Sequence, residues 1–232
     1  MSELPGSDGP LDGDDGWTGV FPAMPLGRTA ELVGEYRWIE ATLYRLLGSW
    51  VADMPVAGLQ VHLDAQSMRH AWHAELLGDR LPVLAGVDPD GLTRPSTASA
   101  ALFGALDGVE VVPEGPGSTW PAGDTGPVPR VGALPRLAGL YRVVLPRLVT
   151  SYSRHLRVLA PVADAPLQRA LRLVLRDEVE DWMAGERLVQ RLMTRPHDVA
   201  AVYGFEEQLE SVAVAAGAHL GLVSLPEWVP AD

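Results

Sequence analysis

The chain contains no cysteine, which removes disulfides, thiolate metal sites and cysteine nucleophiles together. Lysine and asparagine are also missing, isoleucine occurs once, at Ile39, and all 18 basic residues are arginine, set against 30 acids. Alanine, glycine, proline and valine abound instead, the codon bias of a GC-rich genome such as an actinobacterial one. The resulting net charge of −12 argues against nucleic-acid binding, because a surface that neutralises phosphates needs a basic excess, and against attraction to an anionic membrane. No apolar run approaches the roughly 20 residues that span a bilayer, and the first residues lack the basic and apolar regions of a signal peptide. A cytoplasmic protein is the expectation. There is no P-loop, dinucleotide fingerprint or nucleophile elbow; the segment "GPGSTWPAGDTG" follows no convincing strand, opens no helix and reads as a loop.

What is present is helical periodicity. With 232 residues and 47% hydrophobic content, the chain is long enough for one sizeable all-α domain over residues 27–232. Residues 1–26, rich in Gly, Pro and Asp, read as an acidic arm whose Trp17 and Phe21 could pin it to the body. Leu32, Tyr36, Ile39, Leu43, Leu46, Leu47 and Trp50 recur at a 3.6-residue period and predict a first helix from Thr29 to about Ala52. A second runs from about Leu59 to Asp79, bounded by Pro55 and Pro82. Residues 83–131 are broken by prolines and glycines and form a long connection, in which "STASAALFGAL" predicts a short helix and "VEVV" a brief extended piece. A third helix is expected from about Leu134 to Leu159, kinked at Pro146, a fourth from Leu167 to about Met193, and a fifth after Pro196. The final "SLPEWVPAD" reads as a docked or frayed end.

Four stretches carry chemistry. Glu40 lies among Val33, Tyr36, Leu43, Tyr44 and Leu47, where a lone ionised carboxylate is costly. "DAQSMRHAWHAE" places Leu63, Ser67, His70, Ala74 and Leu77 on one stripe, so His70 points inward; His70-x-x-His73 could share a face for a metal, but the stripe leaves His73 at its boundary and Glu75 outside. From Val128 to Ala163 there is no acid, while Arg130, Arg136, Arg142, Arg147, Arg154 and Arg157 fall there. "RDEVEDWMAGERL" supplies Glu178-x-x-Asp181 on a face shared with Val174, Gly185, Leu188 and Leu192.

Two helices, a long crossover and two more helices, together with these residues, resemble the ferritin-like superfamily of di-iron carboxylate four-helix bundles. There a Glu comes from each of two helices and a Glu-x-x-His pair from each of the other two. The resemblance covers about residues 28–193. It assigns Glu40 to the first Glu, puts Ser67-x-x-His70 where Glu-x-x-His is expected, leaves helix three without its Glu, and substitutes Asp181 for the second histidine. It therefore implies a ferritin-like bundle that has lost its di-iron centre and works without metal, as a small-ligand-binding or accessory protein, with Glu40, Ser67, His70, Glu178 and Asp181 lining the former site. The alternative is an oxidoreductase or oxygenase in which Glu40, His70, Glu178 and Asp181 hold a single Fe or Mn ion. Three arrangements of the Glu178/Asp181 pair stay open: around an ion, against helix-three arginines, or on a solvated face beside Asp177 and Glu180. A small molecule in the bundle core and a homo-oligomer are the partners this implies; nucleic acid and membrane are not. His62, His155, His197 and His219 stand isolated, and Trp38, Trp50 and Trp72 read as core or interface.

Overall fold

The structure, a computed structural model, describes residues 24–54, 56–83, 85–108 and 132–225. Among them the secondary structure is helical throughout. Helix α1 spans Leu26–Trp50 and continues into a 3-10 turn, Val51–Asp53; α2 spans Ala57–Gly78. Two short helices follow, α3 (Pro89–Leu92) and α4 (Thr97–Leu106), then α5 (Ala133–Ala138), a π-helical segment (Gly139–Val144), α6 (Leu145–Val158), α7 (Ala165–Leu192) and α8 (Pro196–Ala215). The "STASAALFGAL" helix is thus present as α4, capped by the Ser96 hydroxyl, which accepts from the Ser99 N–H. "VEVV", the residues expected to form the arm up to 23, and most of the tail lie outside the described residues. No helix among those described is long and apolar enough to cross a membrane.

At Pro146, where a kink is expected, the structure shows a change of helix type. Proline lacks the N–H of the regular ladder, and it sits in the first turn of α6 directly after six residues of π-helix. The third predicted helix is therefore three consecutive segments, and the wider π turn places Tyr141 toward α2 and α7. Gly185 makes room for it: a β-carbon there would fall within the Tyr141 ring.

Apolar side chains from all the longer helices form one contiguous cluster. The stripes obey helical spacing. On α7, Leu167, Ala170, Leu171, Val174, Glu178, Asp181, Gly185 and Val189 are buried at intervals of one, three or four, which places both acids on the core side. The solvated-face arrangement is overturned by that burial; Glu180, by contrast, has a side chain 60% exposed.

The arginines of α5 to α6 turn away from those acids. Arg142 makes a bidentate pair with Glu186 of α7 at 2.8 and 2.9 Å and reaches Glu206 of α8 at 3.0 Å. Arg147 pairs with Glu210 of α8, and Arg136 with Asp53 while lying over the Trp50 ring. Among the described residues none of them meets Glu178 or Asp181. The helix-three pairing expected from the sequence is corrected accordingly: the arginine on Asp181 is Arg69, from α2. The segment after α8 is docked by the Ser151 hydroxyl, which accepts from the Leu222 and Val223 N–H groups at 2.9 and 3.1 Å.

His155 of α6 is fully buried beside the Tyr36 ring (5.6 Å between centroids), and among the described residues neither of its ring nitrogens has a hydrogen-bond partner. Burial, with a smaller push from the Arg28 charge, lowers its pKa to about 4. The unfolded chain, with an ordinary histidine near 6.5, binds the proton more readily, so folding stability falls as pH drops from about 6.5 to about 4. Substituting His155→Phe should flatten that part of the pH-stability curve by up to about 3 kcal/mol in denaturant titrations. An unchanged slope would mean the imidazole is solvated.

Candidate metal centre

Four side chains converge where α1, α2 and α7 meet: Glu40, His70, His73 and Glu178. One donor atom from each lies within 4.8 Å of all the others, and all four residues are buried. Helix geometry delivers them in register. On α2, Leu63, Gln66, His70, His73 and Leu77 recur at alternating three- and four-residue steps and all are buried, so the two imidazoles leave one face a turn apart. Glu40 follows Tyr36 and precedes Leu43 on the buried face of α1.

The distances are those of a shared centre. His70 Nδ1 lies 2.6 Å from Glu40 Oε2 and 3.3 Å from Glu178 Oε1; His73 Nδ1 lies 3.3 Å from Glu40 Oε2 and 3.2 Å from Glu178 Oε1. An ion bound at about 2.0–2.2 Å spaces neighbouring donors by about 3.0–3.5 Å. Three of these four histidine–carboxylate distances already have that length, and the Glu40–His70 one must open. Although Glu178 Oε1 stands near both imidazoles, among the described residues neither of its carboxylate oxygens has a hydrogen bond of acceptable geometry. A fully buried carboxylate left in that condition is costly unless a cation completes it.

Electrostatics bind the group together. Burial alone would raise the Glu40 carboxyl, yet the charges of and hydrogen bonds from His73 and His70 pull it down to about 2. Burial would likewise deprotonate the imidazoles; Glu178 and Glu40 reverse this and hold His70 and His73 well above the ordinary histidine value. Two imidazoles in their protonated form would match the two acids in charge.

Two further residues touch the quartet. Tyr152 of α6 donates its hydroxyl to Glu40 Oε1 at 2.5 Å, and burial raises its pKa well above that of an ordinary tyrosine, so it acts as a donor. Its ring packs on Tyr36 at 4.7 Å. Asp177, with a side chain 29% exposed, places Oδ2 3.2 Å from His73 Nε2. A proton held on Nε2 by Asp177 leaves Nδ1 as the nitrogen that faces the centre, the carboxylate–histidine–metal arrangement.

The structure thus brings together Glu40, His70 and Glu178 of the residues singled out in the sequence. Ser67 is turned to α1, where its hydroxyl donates to the Tyr44 carbonyl at 2.8 Å. Asp181 lies one turn along α7 from Glu178 and pairs with Arg69; burial raises its carboxyl, Arg69 opposing. The fourth donor is His73, which a stripe drawn through Ala74 puts at the edge of the buried face; the stripe through Gln66, His70, His73 and Leu77 includes it. No protein-family model, curated protein or solved structure matches this chain.

Asp177→Ala should weaken metal binding by about 10- to 100-fold, as loss of an outer-shell partner does, while Glu180→Ala, one helical step away and exposed, leaves it unchanged. Equal affinities for the two variants in a competition titration would mean that the 3.2 Å contact to His73 orients nothing.

Proposed function

We propose that this protein binds one divalent transition-metal ion through Glu40, His70, His73 and Glu178. The observation that carries this is the Glu178 carboxylate, fully buried, with two unbonded oxygens, facing two imidazole nitrogens at 3.2 and 3.3 Å. Two imidazoles and two carboxylates suit Fe(II) or Mn(II), with Zn(II) the competitor to exclude; the absence of cysteine from the chain removes the softer thiolate alternatives. In a ferritin-like reading, α1, α2, the α5–α6 run and α7 are the four helices of the bundle and the centre is mononuclear. Tyr152 takes the place on the third helix from which a carboxylate is missing.

Such an ion supplies Lewis acidity or one-electron redox chemistry, and the protein's own residues set its surroundings. Glu40 is oriented by the Tyr152 hydroxyl, which also hands it a proton donor within hydrogen-bond reach. His73 connects the centre to partly exposed Asp177, so a proton taken up or released at the quartet has a route of two hydrogen-bonded groups to solvent. Buried apolar walls, with all four donors under 2% exposed, exclude bulk water. The class of activity these features favour is that of an oxidoreductase or oxygenase.

The second reading, a metal-independent ligand-binding or accessory protein, is favoured by one observation: each imidazole Nδ1 lies within ion-pair distance of both Glu40 and Glu178, so protonated imidazoles alone can balance the acids. The two differ in metal content. Purified protein loaded anaerobically with Fe(II) or Mn(II) and desalted should retain close to one ion per chain, and Glu178→Ala or His73→Ala should retain far less. Wild-type protein that retains no metal under these conditions overturns the metal reading and leaves the ion-paired one.

A further inference from the structure

A cleft of about 440 Å³ opens between the first turns of α2 and the last turns of α7. Its walls include Leu59, Leu188 and Leu192, and its rim carries His62, Arg187 and Arg191. The volume falls in the range of small-molecule sites. It lies apart from the metal quartet: His62 precedes His70 by eight residues, about 12 Å along α2 at the helical rise.

The two arginines are the notable part. They are four residues apart on α7, so their charges face one another, an unfavourable pairing on a helix surface. Among the described residues no carboxylate lies within ion-pair distance of either, in a chain that carries 30 acids and a net charge of −12. Among the described residues the one hydrogen bond from either guanidinium is intrahelical, from Arg187 Nε to the Met183 carbonyl at 3.0 Å. Arginine offers a planar fork of donors that matches a carboxylate or phosphate oxygen pair. His62 is held in place by Tyr141, whose hydroxyl lies 3.2 Å from Nε2 and itself donates to Gln66. Burial lowers the His62 pKa, so this wall of the cleft is neutral while the two arginines supply the charge.

We propose that the cleft binds a small organic anion with an apolar body and a carboxylate head, the body against Leu59, Leu188 and Leu192 and the head between Arg187 and Arg191. Charge complementarity selects the head and the leucine walls select the body. The assignment stands whether or not the quartet holds metal.

Octanoate is a suitable probe, titrated calorimetrically into the full chain beside octan-1-ol and inorganic phosphate. The expected result is saturable binding of octanoate at one site, tighter than that of either the neutral alcohol or phosphate. The double variant Arg187→Gln/Arg191→Gln alters exposed side chains only and should weaken octanoate tenfold or more. A second variant keeps both charges: a β-carbon at Gly58 meets nothing within 4 Å, so Gly58→Phe projects its ring into open space at the cleft and should reduce octanoate binding with the fold intact. No saturable octanoate binding, unchanged affinity in both variants, or phosphate binding as tightly as octanoate would overturn the proposal.

Discussion

Two acids and two histidines buried in one place must balance their charge, and much of the architecture follows from that requirement. Removing a single carboxylate from water without a partner costs several kcal/mol. α2 offsets part of that cost for Glu40 and Glu178 by placing His70 and His73 between them, three residues apart, on the face that also buries Leu63 and Leu77. The quartet can be neutral in two ways: with two extra protons, as imidazolium groups paired to carboxylates, or with a divalent cation and neutral imidazoles. Both states carry the same total charge. The surrounding apolar core therefore meets the same net charge in either.

The rest of the polar interior keeps other charges from disturbing this balance. Six arginines fall within the acid-free stretch from Val128 to Ala163. Arg142 and Arg147 tie their segment to Glu186, Glu206 and Glu210, leaving Tyr152 as the group that this part of the chain presents to Glu40. Asp181, the one additional buried acid on α7, takes its cation from Arg69, whose side chain is 35% exposed and so bridges the interior to solvent. The π-helical turn before Pro146 and the missing side chain at Gly185 let Tyr141 reach Gln66 and His62 on α2, which separates the quartet from the arginine-rimmed cleft by a hydrogen-bonded layer.

Much of this was legible in the sequence, unevenly. The long helices announce themselves because apolar residues recur at 3.6-residue spacing between prolines, and Glu40 and Glu178 stand out because their helical neighbours are apolar. His73 did not, for a reason of phase: a stripe drawn through Ser67 and Ala74 differs by one residue from one drawn through Gln66 and His73, and only packing against α7 selects between them. Asp177 was read as a surface charge, which by exposure it partly is; that it meets the far nitrogen of a buried histidine depends on the separation of two helices, which no local pattern encodes. The choice of arginine for Asp181 failed likewise, since Arg69 and the acid are 112 residues apart. A tyrosine such as Tyr152 within a core stripe carries no signal for where its hydroxyl points.

The exchange of protons for metal is the central claim, and proton counting tests it directly. Calorimetric titration of the metal-free protein with Mn(II) or Zn(II) at pH 7, in buffers of different ionisation enthalpy, gives the number of protons released per ion bound. Displacement of the protons on His70 and His73 predicts a value close to two. A value near zero, or no binding at all, would contradict the account.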